Sequence, residues 1–143
     1  MLFRSNTQDD LDLFILPGYH RPIALNRPNE DGGGGVALYI SSEYNFKVRE
    51  DLTYNSNESQ CLFTEADRNN ISVLIGVSYK PPSANIESYS QSLSDILDKL
   101  DNCSKKCFLA GDFNIDLLKC ESHIETNSFF NRLLTYSFFP TIF

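Results

Sequence analysis

Residues 71–114 read ISVLIGVSYKPPSANIESYSQSLSDILDKLDNCSKKCFLAGDFN and contain the strongest fold signal of the chain. Apolar residues alternate from Ile71 to Tyr79, which predicts a strand that the following prolines end. From Ile86 to Asp101 apolar residues recur at spacings of three and four, which predicts an amphipathic helix capped by Ser83 or Asn85. The apolar run from Cys107 to Asp112 predicts a second strand. Strand, helix and strand over about forty residues have the length of a βαβ crossover, so the fold class is α/β.

Polar side chains follow both predicted strands. Side chains two apart on a strand point to the same face. Asp112 and, further on, Asn114 are therefore predicted to share a face with Phe108 and Ala110. The apolar face of the strand that begins at Ile71 also ends in a polar side chain, that of Tyr79. We therefore expect a site at the rim of a sheet that is packed on its inner side. Asp112 would manage an attacking water, and Asn114 and Tyr79 would donate to phosphate oxygens.

A structural interpretation of these residues stays open beside the functional one. Asp and Asn after a strand are common turn residues and helix caps, and a Tyr before two prolines can serve packing alone. Asp116 is interpreted as a turn or cap residue. The spacing Asp112-x-Asn114-x-Asp116 imitates the start of a calcium loop, but Leu117 and His123 stand where that loop requires glycine and glutamate.

The rest of the chain predicts further short elements. Residues 1–31 are predicted to form loops, with one short strand or turn between Leu11 and Ile15. Gly32–Gly35 are predicted to form a turn. They are not a phosphate loop, because that motif requires a following Gly-Lys-Ser/Thr and a helix. Strands are predicted at residues 36–40, 45–49 and 60–66, a turn at 67–70 and a second helix at 125–137. The 143 residues fit one domain without repeats or linkers.

Bulk composition limits the possible partners. The net charge of −7 argues against tight, metal-independent binding of nucleic acid, whereas enzymes that engage phosphate through a divalent cation tolerate acidic sites. The four cysteines form no CxxC pair and are interpreted as reduced, partly buried thiols, with zinc or disulfides as the alternative. No apolar stretch reaches the roughly 18 residues of a membrane span, and the N-terminus does not read as a signal peptide. A nuclear or cytoplasmic location, without secretion or membrane association, is the expectation; no protein partner is inferable.

Three motifs, GGGGVALYI, GVSYKPPS and GDFNIDLL, occur in this order between residues 32 and 118. Together they resemble the endonuclease/exonuclease/phosphatase superfamily, and most of all the apurinic-like endonuclease domain of non-LTR retrotransposons. The resemblance implies a four-layered α/β sandwich, in which two mixed sheets pack face to face with helices outside. It also implies hydrolysis of phosphate esters with a divalent cation, usually Mg²⁺ and otherwise Mn²⁺, and DNA as the partner of the intact domain.

The resemblance also assigns roles to single residues. The water-orienting aspartate falls on Asp112, the phosphate-binding asparagine on Asn114 and the active-site tyrosine on Tyr79. The family's metal-ligating glutamate and its closing Ser-Asp-His segment have no counterpart, and neither His20 nor His123 is interpreted as the catalytic base. We therefore expect residues 1–143 to form a single incomplete domain. Its metal binding should be weak or absent, and we assign no residue as a metal ligand.

Three functional hypotheses follow. The first is a DNA endonuclease domain of a retrotransposon whose activity is impaired. The second keeps the hydrolytic chemistry but takes small molecules or lipids as substrates of a phosphatase or phosphodiesterase. The third is a non-catalytic remnant that acts as an interaction module or an unstable fragment, since a partial sheet exposes edges and apolar faces.

Overall fold

A five-stranded mixed sheet forms the centre of the fold in the computed structural model, which describes residues 14–28 and 35–141. Its strands are β3 (Asn45–Val48), β4 (Tyr54–Asn55), β5 (Gln60–Arg68), β6 (Ile71–Tyr79) and β7 (Lys106–Asp112). Strands β3, β5, β6 and β7 lie side by side in that order, and β4 pairs with β5. Only the β6–β7 pair is parallel, and helix α1 (Ile86–Asp101) makes the crossover between these two strands.

Two layers cover this sheet. On one face, α1 and α2 (Ile124–Thr135) form the main core, with Leu93 and Leu97 of α1 and Phe129 of α2 packed on Phe63 and Leu74 of the sheet. On the other face lies an antiparallel sheet of two strands, β1 (Ile23–Asn26) and β2 (Gly35–Leu38). A smaller core joins the two sheets and includes Val36, Leu62, Val77 and Tyr79. The α/β sandwich is therefore confirmed, with a smaller sheet that is antiparallel and not mixed.

Most predicted elements occur within one or two residues of their expected ends. Strand β6 and helix α1 have the predicted bounds, and Asn85 is the N-cap of α1, accepting from the backbone N–H groups of Glu87 and Ser88. The turn expected at 67–70 is shorter, because β5 runs on to Arg68 and the left-handed residues Asn69 and Asn70 make the hairpin. Strand β1 was not predicted, and most of the segments at Leu11–Ile15 and Gly32–Gly35 lie outside the described residues.

The predicted inner packing of the β6 and β7 faces is partly wrong. Val77 and Tyr79 are buried under the small sheet, but Ile71 is 68% exposed and Phe108 62% exposed. Ala110 is exposed as well. The cause is that strands β1 and β2 pack over β5 and the last part of β6, whereas β7 carries no layer on this face among the described residues.

Two further sequence interpretations concern single residues. The four cysteines are free thiols, as expected, and Cys107 packs against the main core. Asp116 caps the short 3₁₀ turn Leu117–Lys119 by accepting from the backbone N–H of Leu118, which confirms its interpretation as a cap. Within the described segments, neither helix has the length and apolar character needed to cross a membrane.

Candidate active site

The parallel pairing of β6 and β7 brings Tyr79 and Asp112 together. Their register places Tyr79 directly opposite Asp112, at the carboxyl ends of both strands. The pairing continues past the strands, since the backbone N–H of Lys80 donates to the carbonyl oxygen of Asp112 at 3.0 Å. In open α/β sheets, ligands bind at the carboxyl ends of the parallel strands. Both predicted residues therefore lie at the sheet edge where a ligand site is expected.

Gly111 makes this close pairing possible. Its φ of +155° is a conformation that side chains disfavour, and a Cβ at this position would lie 1.8 Å from the carbonyl oxygen of Ser78. Any other residue would push β7 away from β6 immediately before Asp112. The glycine of the GDFN motif thus sets the distance between the two strands at the candidate site.

Asn114 is held at the same edge by two hydrogen bonds. Its backbone N–H donates to Oδ1 of Asp112 at 3.1 Å, and its Nδ2 donates to the carbonyl oxygen of Lys80 at 2.8 Å. The φ of +46° is one that asparagine tolerates better than most residues. Asp112 and Asn114 thus make the kind of local contacts that the turn interpretation predicts. Those contacts leave one amide hydrogen of Asn114 and Oδ2 of Asp112 without a partner among the described residues.

Tyr79 combines packing with a free hydroxyl. It is 9% exposed and its ring packs on Val36, Leu62 and Val77 in the small core. The guanidinium carbon of Arg27 lies 4.8 Å from the ring centroid, within the range of a cation–π contact. In the described segments no protein group hydrogen-bonds to the Tyr79 hydroxyl. The packing interpretation is thus correct for the ring, and the hydroxyl stays available to a ligand.

Lys80 is a buried cation that sequence reasoning missed. Its side chain is 1% exposed, and Nζ donates one hydrogen bond, to the carbonyl oxygen of Pro81 at 3.1 Å. Burial lowers the pKa of the Lys80 ammonium, and the nearby Asp112 carboxylate works in the opposite direction. Only its place next to Tyr79 in the sequence could have drawn attention to it, because its burial follows from tertiary packing.

The residues of this edge do not form a preformed metal centre. Among residues 14–28 and 35–141, no group of three His, Cys, Asp or Glu side chains is arranged to hold an ion. Asp112 supplies one carboxylate, while Asp116 is engaged as a cap. The two histidines have structural contacts elsewhere: His20 with the carbonyl oxygen of Tyr44, and His123 as the N-cap of α2. Mg²⁺ is usually held by one or two carboxylates together with substrate phosphates and waters, so the single carboxylate of Asp112 would hold it only weakly on its own.

A cavity of about 370 Å³ lies on the other side of β7. It is mainly apolar and is lined by Leu109, Phe113, Phe129, Leu133 and Phe138 among others. Tyr79, Asp112 and Asn114 are not part of its wall. The candidate site is therefore an open edge of the sheet and is separate from this cavity.

Comparison with known proteins identifies the class of this α/β sandwich. The family model described as "Endonuclease/Exonuclease/phosphatase family" matches residues 3–141. The chain therefore belongs to the endonuclease/exonuclease/phosphatase family, a family of hydrolases whose members generally use divalent metals. The predicted family membership is confirmed.

Two solved structures show the same fold. The endonuclease domain of TRAS1, a telomere-specific non-LTR retrotransposon, superposes with a TM-score of 0.63 at 15% identity, over 80% of this chain and 52% of that one. The human Nocturnin catalytic domain with a bound sulfate anion gives a TM-score of 0.50 at 20% identity, over 76% and 46% respectively. The chain thus spans about half the length of each structure. No curated protein matches the sequence.

Proposed function

We propose that this chain hydrolyses phosphodiester bonds in DNA, as a retrotransposon endonuclease domain does, and that it does so slowly. One observation carries the proposal: the register that sets Tyr79 opposite Asp112 at the carboxyl edge of β6 and β7, with Asn114 tied to the same edge. Membership of a hydrolase family supports the reaction class. The likeness to the TRAS1 endonuclease domain favours DNA as the substrate.

Each residue has a group free for the reaction. Oδ2 of Asp112 accepts a hydrogen bond from a water and orients it toward phosphorus, while Oδ1 stays bound to the backbone of Asn114. The Tyr79 hydroxyl and the second amide hydrogen of Asn114 donate to phosphoryl oxygens, on which negative charge grows in the transition state. We expect only weak binding of Mg²⁺ or Mn²⁺, because Asp112 is the one carboxylate that the described residues place here. Slow turnover follows from that shortage of ligands.

Nicking of supercoiled plasmid tests the proposal, with MgCl₂ or MnCl₂ in one series and EDTA in the other. We expect slow nicking that needs the metal and falls at least about tenfold in Asp112→Ala, since a positioned base contributes a factor of that order or more. Asp116→Ala is the matched control: it removes a carboxylate from the same motif, but one whose contacts are structural, since it caps a turn and pairs with Lys119. Equal nicking by Asp112→Ala and the unchanged chain would refute the assignment, and fast nicking would refute the slow turnover.

The same assay separates the remaining hypotheses. Hydrolysis of phosphomonoesters in preference to plain or abasic DNA would favour a small-molecule or lipid phosphatase. Nicking no faster than in buffer alone would favour the non-catalytic module. In that case thermal unfolding distinguishes a stable module, which melts cooperatively, from an unstable fragment, which aggregates or melts gradually.

A further inference from the structure

Arg27 lies beside the candidate site and has no counter-ion among the described residues. It follows directly after β1, is half-buried, and places its guanidinium over the ring of Tyr79. Several other cations of the described residues are paired with carboxylates, for example Arg49 with Asp51 and Lys119 with Asp116. A half-buried charge without a partner is unfavourable unless something else neutralises it. The position beside Tyr79 suggests that a ligand does so.

Unsatisfied polar atoms occur on Arg27 itself, on its sequence neighbour and on the residue opposite Tyr79 in the sheet. Within the described part of the chain, five buried side-chain N or O atoms have no hydrogen-bond partner, and three of them are Nε of Arg27, Oδ1 of Asn26 and Oε1 of Gln60. Gln60 lies opposite Tyr79 in the β5–β6 register. Its Nε2 donates to the carbonyl oxygen of Leu25 at 3.1 Å and to Oδ1 of Asn55 at 2.9 Å. Buried polar groups are normally satisfied, and of these three atoms only Nε of Arg27 belongs to a donor group, so the guanidinium is the group here that an anion can satisfy.

Arg68 provides an internal comparison. Its guanidinium also lies over a tyrosine, with 5.5 Å from the guanidinium carbon to the ring centroid of Tyr44. It forms an ion pair with Glu43, so its charge is already compensated within the protein. A stacked pair of arginine and tyrosine thus occurs twice. Glu43 neutralises the arginine of one pair, whereas the arginine beside the candidate site has no carboxylate partner among the described residues. Stacking alone therefore does not explain why Arg27 is unpaired.

The geometry points to Arg27 as a phosphate-positioning residue that binds a phosphodiester of the substrate strand next to Tyr79. A guanidinium offers several N–H donors in a planar fork that matches two phosphate oxygens, and stacking on Tyr79 fixes the plane of that fork. The terminal nitrogens of Arg27 donate to the phosphate, which supplies the missing negative charge. This inference deepens the proposed function and rests on it for the identity of the substrate.

NMR titration tests this binding without any hydrolysis. The ¹⁵N-labelled chain, in EDTA, is titrated with the dinucleotide dTpdT, which contains a single phosphodiester, while the side-chain Nε–H signal of Arg27 is followed. Parallel titrations use inorganic phosphate and thymidine. We expect dTpdT to move the Arg27 signal with a Kd of about 1–10 mM, the range for a single small anion, and thymidine to leave it unchanged. Arg27→Gln should weaken dTpdT binding about tenfold, followed through the side-chain amide signal of Asn114.

Arg68→Gln is the matched control, because it removes the same charge from an equivalent stacked pair away from the site. An unmoved Arg27 signal in dTpdT, or equal weakening by Arg27→Gln and Arg68→Gln, would overturn the inference. Tighter binding of inorganic phosphate than of dTpdT would overturn the assignment to a phosphodiester. Because this measurement contains no metal and no turnover, it can succeed where plasmid nicking fails. Failure of this inference is therefore distinguishable from failure of the proposed function.

Discussion

The two ends of the parallel pair β6–β7 handle charge in opposite ways. At the amino ends, Glu65 is buried and surrounded by partners: it pairs with Lys105, with Arg49 at 3.3 Å and with Lys47 at 3.3 Å. The Ser72 hydroxyl also donates to it, at 3.1 Å. At the carboxyl ends, Arg27, Lys80 and Asp112 form no ion pair with any described residue. One end is thus electrostatically satisfied within the protein, and the other is not.

This difference indicates which end binds a ligand. Among the described residues the largest shift of a carboxyl pKa is at the satisfied end, where hydrogen bonding to Lys105, helped by Ser72 and Lys47, lowers the pKa of Glu65 to about 2. Structural ion-pair networks perturb pKa values as active sites do, so this shift alone would point to the wrong end of the sheet. Charges left without partners at the carboxyl edge are the better indicator.

Gly111→Ala is expected to have the largest effect, because it separates β6 from β7 at the carboxyl end. Its Cβ would meet the Ser78 carbonyl oxygen at 1.8 Å, and the positive φ adds backbone strain. We expect a loss of about 3 kcal/mol or more in the free energy of unfolding, measured by urea denaturation.

Gly18→Ala is the control for Gly111→Ala. Gly18 also has a positive φ, of +83°, but nothing lies within 4 Å of its added Cβ. It should cost only about 1 kcal/mol, the strain of the backbone alone. If both variants lose the same stability, the close approach of the two strands is not what makes Gly111 necessary.

Glu65→Gln tests the satisfied end. Removing one partner of a buried network typically costs about 3–5 kcal/mol, but Lys47 and Lys105 are 65% and 37% exposed and solvent screens them. We therefore expect a loss of about 2 kcal/mol near neutral pH. The folded-state pKa of Glu65 lies below its ordinary value of 4.5, so its stabilisation is present above that pH and is lost as the pH falls toward about 2.

Unfolding free energies of the unchanged chain and of Glu65→Gln, measured from pH 7 down to pH 2, check this prediction. The difference between the two should shrink below about pH 4.5 and be small near pH 2, because the carboxyl group is then increasingly protonated in both states. A difference that does not change with pH would mean that packing, and not the charge of Glu65, stabilises this end.

Sequence reasoning could predict the elements that local patterns encode. The alternation over Ile71–Tyr79 and the helical spacing over Ile86–Asp101 gave both elements with correct bounds. The motif GDFN and the tyrosine before two prolines selected residues that the β6–β7 register does bring to one edge. Their catalytic roles stay predictions.

Contacts between distant segments could not be predicted in this way. Strand β1 lies between Pro22 and Pro28, which read locally as loop, and it forms because β2 pairs with it. The exposure of Phe108 depends on how far the small sheet extends over the large one, which no pattern within β7 encodes. Arg27, directly after β1, and Gln60 of β5 reach Tyr79 from other segments, and each is an ordinary polar residue in its own segment.

Lys80→Met is expected to have the smallest effect and the opposite sign. Replacing a buried charge by an apolar side chain of similar shape is often neutral or stabilising, because the charge no longer has to be removed from water. The ammonium makes one hydrogen bond, to the carbonyl oxygen of Pro81. Only the nearby carboxylate of Asp112 counteracts the effect of burial on its pKa. We expect a gain of about 1 kcal/mol at pH 7 together with slower nicking, since the charge beside Asp112 is lost.

The pH dependence distinguishes this cause from improved packing. Burial lowers the pKa of Lys80 below its ordinary value of 10.5, so folding is penalised below the folded-state pKa and the penalty disappears as the pH rises toward 10.5. The advantage of Lys80→Met should therefore diminish between neutral and alkaline pH. A gain that is constant with pH would assign the effect to packing. A loss of stability at pH 7 would show that the Lys80 charge is compensated within the protein, and the contrast between the two ends of the sheet would fail.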